Sequence, residues 1–278
     1  MGNFDAIYPT LIESYLTDLQ KEKVLGLIVS INSPGGSVSA SHTIYNLFNQ
    51  FKIKNNIPLY FYSTDMLTSG AYWVSLSANK IFTNYGALIG SIGVKGPDWI
   101  YYNSPTSLST GLLGNAVESP KGIELFSNTA GISKDILNPF RQPSKKEISQ
   151  LQNMVNNIYN DFVNLVSSNR KIEKNIVVNE IGAMIYNSKE AQKHYLIDGQ
   201  KNINETIEVM AKELNLDNTN IISNNKKNLF NFQKFNFFMN VLDNKQYTLN
   251  ENLINKKFCN NIKNEFSVAT FNFYSSMC

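Results

Sequence analysis

The chain has 278 residues, 42% of them hydrophobic and 17% charged, with a formal net charge of only +3. That is enough apolar material to bury a sizeable core, in one large domain or one and a half, and it argues against disorder over most of the length. Lysines and arginines are dispersed rather than massed on one segment, so there is no footprint for nucleic acid. Both cysteines, Cys259 and Cys278, lie near the C-terminus without metal-ligand spacing, and dependence on a disulfide is not expected.

The N-terminal "MGNFDAIYPT" has neither a basic segment nor an apolar core, and no run approaches 18 apolar residues. The chain as written therefore reads as soluble, without an export signal. "VLGLIVSI" (24–31) is a continuous run of the kind a strand buried on both faces needs. Pro34, Gly35 and Gly36 break it, and from Ser37 onward Ile44, Leu47, Phe48 and Phe51 recur at helical spacing. The same grammar repeats at once: "PLYFYS" (58–63) is a strand, "TSG" a turn and "AYWVSLSA" the start of a helix. Two consecutive strand–turn–helix units predict an α/β fold with a mostly parallel, layered core.

"KIFTN" (80–84) and "ALIGSIGV" (87–94) supply further short strands, and residues 95–130 read as loop with a strand over 122–128. Ser144 and Glu147 form a capping box ahead of an apolar stripe made by Ile148, Leu151, Val155, Ile158, Phe162 and Leu165. A strand over 184–187, a helix over "SKEAQKHY" and another over roughly 203–214 close the organised part. Beyond about residue 215 the composition turns to Asn, Lys and Phe, so residues 1–215 are expected to form the domain and 216–278 a weakly specified extension.

A strand that ends in Gly-Gly and opens a helix exposes backbone N–H groups, which suit a carbonyl oxygen turning into an oxyanion. Gly35 and Gly36 can serve so, or they can simply make a tight turn. Ser69 is likewise either a nucleophile or a plain helix N-cap. Two such turns on neighbouring parallel strands fall at one carboxyl edge of the sheet, where α/β folds place their sites, and this favours the chemical reading. A nucleophilic serine needs a base, because an alcohol is almost wholly protonated near neutral pH. The two histidines, His42 and His194, lie on helices and outside the glycine turns, so a histidine triad has little support.

"SINSPGGSVSAS", "SGAYWVSLSANKIFTNYGALIGSIGV", "SKDILNPFR" and "IYNSKEAQKHYLIDG" resemble, in order and spacing, the signal peptide peptidase A (protease IV) family, from about residue 11 to about residue 215. The resemblance implies a ClpP/crotonase-like fold and a serine–lysine dyad that cleaves extended apolar peptides such as remnant signal peptides, with no metal and no organic cofactor. It puts Ser69 in the nucleophile's place, Lys134 in the base's, the amides of Gly36 and Gly70 in the oxyanion hole, and Ser91 where a hydroxyl contacts the lysine. It also implies a homo-oligomer with active sites near subunit interfaces, and a place on the periplasmic face of a bacterial inner membrane. Such a lysine must be desolvated to act as a base, and Ile132, Ile136 and Leu137 flank Lys134. Family members usually begin with a membrane anchor and a Gly-x-Ile strand, both of which precede the point where this chain starts. Thr68 and Ala71 stand where many members have Ala and Gly, and the segment between "GSIGV" and "SKD" is longer than in short members. The alternatives are an inactive scaffold of the same fold and a crotonase-type acyl-CoA enzyme.

Overall fold

A computed structural model describes residues 9–101, 128–216 and 221–223, together with the backbone of 268–274. The strand expected over 122–128 and the phenylalanine-rich segment 229–242 fall on or run into residues outside this set. The chain divides into two compact units, one formed by residues 1–92 with 163–278 and the other by 93–162.

In the first unit, helix α1 (Pro9–Lys21) precedes strand β1 (Leu27–Asn32), helix α2 (Val38–Asn55) and strand β2 (Leu59–Ser63). Leu27, Ile28 and Val29 are fully buried, as the uninterrupted apolar run requires. The α2 helix starts where Ser37 Oγ accepts from the Ala40 amide, and it ends at Asn56 in the left-handed conformation. Its stripe of Ile44, Phe48 and Phe51 is buried, with the Phe48 ring edge-on to Phe61 of β2 at 5.4 Å.

Strand β4 (Lys80–Thr83), strand β7 (Gly199–Gln200), strand β8 (Ile221–Ser223) and strand β9 (Val268–Tyr274) complete a six-stranded sheet in the order β7-β4-β2-β1-β9-β8, every pair of which is parallel. Two short strands of the Asn/Lys/Phe-rich extension, β8 and β9, thus sit in this sheet, with β9 registered against all six residues of β1. A second sheet has three strands, in the order β3-β5-β6: β3 (Met66–Thr68), β5 (Leu88–Gly90) and β6 (Ile185–Asn187). Helix α3 (Gly70–Ser75) follows β3, while α5 (Lys174–Ile176) with a π turn over Val177–Ile181, α6 (Ser188–Lys193) and α7 (Ile203–Glu213) cover the later part. Helix α4 (Lys145–Arg170) starts in the second unit and ends in the first.

The layered α/β class expected from the repeated strand–turn–helix units is the one observed. Two details differ from the sequence reading. The "TSG" turn does not leave β2 but β3, a strand of the smaller sheet. Thr64 and Asp65 break the chain between them, because the Asn32 side-chain oxygen accepts from Ser63 Oγ and from the Thr64 and Asp65 amides, all at 2.9 Å. The strand expected over 87–94 is also shorter, Leu88–Gly90, since Gly90 and Ser91 both take positive φ and end it.

Candidate active site

Ser69 occupies the residue between β3 and α3 with φ 53° and ψ −126°. A non-glycine side chain is costly there, of order 1–3 kcal/mol, and such strain persists only where the surroundings over-determine it. The plain N-cap reading fails, because the Ser69 side chain makes no capping hydrogen bond to α3. Its amide instead donates to Gly90 O at 2.9 Å, and its carbonyl accepts from Trp73 N at 3.0 Å. Behind it, Tyr72 is fully buried and its hydroxyl donates to Leu196 O at 2.8 Å, so burial pushes this phenol well above its usual range and α3 is pinned from below. A sharp strand-to-helix turn with a serine in a strained conformation is similar to the turn on which serine hydrolases of another fold carry their nucleophile.

The "PGG" loop is tied to the same turn. Ser33 N donates to Met66 O at 2.8 Å, Thr68 N to Ser33 O at 3.3 Å, and Thr68 Oγ1 to Pro34 O at 3.0 Å. Thr68, a departure from the family pattern, thus has a structural use. Gly35 has φ 116°, and a Cβ there would lie 2.8 Å from Gly70 N, 2.8 Å from Ser69 Cβ and 3.1 Å from Ser69 Oγ. Only glycine leaves that space open. A Cβ on Gly70 would lie 3.1 Å from Gly36 N and would collide with Ser41 Oγ. Gly36 N, Gly70 N and the Ser69 hydroxyl therefore lie close together after β3.

Ser91 joins the same cluster through the backbone. It follows Gly90, the acceptor of the Ser69 amide, has φ 52°, and donates its own amide to Met184 O at 2.8 Å. Neither histidine takes part: His42 ring nitrogens face Asn46 Nδ2, and the His194 ring lies against Tyr186 at 4.7 Å between centroids.

Lys134 belongs to the second unit. It lies on an irregular turn over 131–138 closed by Lys134 N to Gly131 O at 3.2 Å, Ile136 N to Ser133 O at 3.1 Å and Asn138 N to Asp135 O at 3.0 Å. Lys134 is exposed, and Ile132 beside it is 96% exposed, so the apolar flanks that promised desolvation do not bury this lysine within its own unit. Short-range sequence neighbours on a turn point in different directions, so flanking apolar residues do not by themselves bury the side chain between them. Ser69, Gly70, Gly36 and Ser91 are thus brought together in one unit, and Lys134 is placed in the other.

Sequence reasoning overlooked three groups. Ser41 Oγ, buried and bonded to Ser37 O at 2.9 Å, sets how closely α2 can approach Gly70. Asn32 organises the β2–β3 break. Arg141 bridges Asp135 and Glu147. All three lie inside motifs that carry the family resemblance, Asn32 and Ser41 in "SINSPGGSVSAS" and Arg141 in "SKDILNPFR", and Arg141 also meets the capping box of Glu147 with Ser144, which is present with Ser144 N and Oγ both 2.8 Å from Glu147 Oε2.

A strained serine on a strand-to-helix turn, with Gly35, Gly36 and Gly70 packed against it, accords with the class to which the sequence comparisons assign the chain, a serine-type peptidase domain. The chain belongs to peptidase family S49, whose model matches residues 52–217. Among similar proteins, one named as a protease in Methanocaldococcus jannaschii is 31% identical over 208 residues, 74% of this chain and 62% of its own length. One named as a signal peptide peptidase in Enterococcus faecium is 28% identical over 76% of this chain and 58% of its length. Protease 4 of Salmonella typhi is 26% identical over 68% of this chain and 28% of its length. The chain thus spans about three fifths of the first two relatives. Among solved structures, a mutant of a membrane-bound stomatin-specific protease aligns over 72% of this chain and 76% of its own with 17% identity and a TM-score of 0.43. Among the described residues no helix is long and apolar enough to cross a membrane.

Proposed function

We propose that this chain hydrolyses peptide bonds with Ser69 as nucleophile and Lys134 as general base, the amides of Gly36 and Gly70 as oxyanion donors, and the Ser91 hydroxyl as the contact that orients the lysine amine. The observation that carries this reading is the positive φ of Ser69 with its hydroxyl unused as a cap. Ser69 Oγ attacks the scissile carbonyl and passes its proton to Lys134 Nζ. The carbonyl oxygen becomes an oxyanion in the space that Gly35 keeps clear, where one lost donor is worth roughly 100- to 1,000-fold in rate. Collapse breaks the C–N bond, the leaving amine takes the proton from the lysine, and a water activated by the same base releases the acyl group.

The substrates are extended, largely apolar peptides such as remnant signal peptides, a reading supported by the names of the relatives. No metal and no organic cofactor has a step in this scheme. The exposed setting of Lys134 supports a homo-oligomer in which one subunit's lysine is covered against a neighbour's Ser69, and the resemblance of the motifs to the signal peptide peptidase A family implies a location at the periplasmic face of a bacterial inner membrane. Ser69→Ala is the first test: it removes peptide hydrolysis and labelling by a fluorophosphonate probe while leaving the circular dichroism spectrum unchanged. Retained turnover ends the nucleophile assignment. A parent protein that neither labels nor hydrolyses is the inactive scaffold, and one that instead binds acyl-CoA is the crotonase-type enzyme.

A further inference from the structure

The turn that carries Lys134 is not held by a core. Gly131, Ile132 and Lys134 are exposed, and Gly131, Ser133 and Leu137 all have positive φ, at 101°, 60° and 69°. Two of these are not glycine, so the conformation needs support from outside the turn. That support is a charge cluster around Arg141. Arg141 Nε donates to Asp135 Oδ2 at 2.7 Å and Nη2 to Asp135 Oδ1 at 2.8 Å, a two-pronged grip on the residue next to Lys134. The other edge of the same guanidinium grips Glu147, Nη1 to Oε2 at 3.0 Å and Nη2 to Oε1 at 2.7 Å.

Glu147 is 5% exposed and sits in the first turn of α4, where Ser144 N and Oγ also donate to it. The Arg141 guanidinium stacks 5.3 Å from the Trp99 ring, whose Nε1 donates to Asn138 O at 3.1 Å at the far end of the turn. Arg141 holds both carboxyls below their usual range, and for Glu147 the Ser144 amide and, less strongly, the Ser133 hydroxyl add to it. Ser133 and Asp135, the two neighbours of Lys134 in the chain, are therefore both drawn to this cluster.

We propose that Arg141 is a positioning residue for the peptidase: by clamping Asp135 to Glu147 it locks the 131–138 turn onto helix α4, so that Lys134 is presented in a single orientation. The proposal rests on reading Lys134 as the general base. Misplacing a reacting group by about 1 Å can cost on the order of 100-fold in rate, so a loosened turn acts on turnover rather than on substrate affinity. Lysine cannot replace Arg141, since a point-like ammonium lacks the planar fork that meets two carboxylates at once.

Arg141→Lys, Asp135→Asn and Lys134→Ala are compared with the parent chain on an apolar fluorogenic peptide amide, with thermal melts and the pH profile of kcat recorded for each. The expected result for Arg141→Lys is a kcat lowered about 10- to 100-fold with KM within about twofold, and a displaced pH profile. Asp135→Asn leaves the Arg141–Glu147 half intact and gives a smaller loss of the same kind. The double variant is no worse than Arg141→Lys alone, because both act through one clamp. If Arg141→Lys does not fold, Asp135→Asn decides by the same measurements. Unchanged kcat and pH profile in folded variants, with Lys134→Ala inactive, overturns the positioning role and leaves the dyad standing. Full activity in Lys134→Ala overturns the base assignment, and the positioning role falls with it.

Discussion

Ser69 pairs a conformation that disfavours any side chain with a hydroxyl that caps nothing, so its stability cost has no structural return. Ser69→Gly should therefore raise stability by about 1 kcal/mol in thermal or urea melts while abolishing hydrolysis. Gly35 gives the opposite prediction. A methyl there enters the space between Ser69 Oγ and Gly70 N and also meets an unfavourable φ, so Gly35→Ala should cost stability and lower kcat by at least about 100-fold, read by steady-state kinetics on folded protein. At this scale the sequence was partly legible. The serine and the glycines stood out because turns need them, but that the hydroxyl does not cap, and that Gly35 rather than Gly36 clears the space, depends on φ and ψ, which no residue pattern states. Lys134 shows the reverse case: its apolar neighbours are legible, and Ile132 faces away into solvent.

Among the elements, α2 and β2 meet at Phe48 and Phe61, both buried and edge-on. Phe48→Ala should destabilise the protein by roughly 3–5 kcal/mol, measured by denaturant unfolding, because the sheet cannot collapse into the hole. The start of α4 carries a pH dependence. Asp135 and Glu147 are both held below their usual range, first of all by Arg141. A depressed carboxyl adds stability that is present above its unfolded value, near 4, and is lost as pH falls through the folded value. Melting temperature should therefore drop as pH falls below about 4, and Glu147→Gln should flatten that drop in melts across the acid range. These elements were legible where the period was long: α2 buries Ile44, Phe48 and Phe51 and α4 buries Phe162 as their spacing requires, although Ile148 at the start of the α4 stripe is exposed. The three-residue strands β3, β5 and β6 were harder, since so short a segment is defined by its partners rather than by its own alternation.

For the whole molecule, the shared-site reading makes a prediction that no single variant can. Ser69→Ala and Lys134→Ala subunits, each inactive alone, should regain part of the activity when mixed under conditions that allow exchange, with exchange followed by mass spectrometry of labelled subunits. No recovery despite exchange means that the dyad is completed within one chain. The sequence by itself determined the layered α/β class and the two glycine turns, because these follow from local spacing: apolar runs form buried strands, and glycine permits sharp turns; the candidate dyad is named only by the resemblance of its motifs to the signal peptide peptidase A family. Only the tertiary structure decided that the serine turn leaves a second sheet, that β8 and β9 from the Asn/Lys/Phe-rich extension join the main one, and that Arg141 links the lysine's turn to α4. Each of these depends on pairing between residues distant in the chain or on a backbone angle, and neither leaves a period in the sequence for a reader to find.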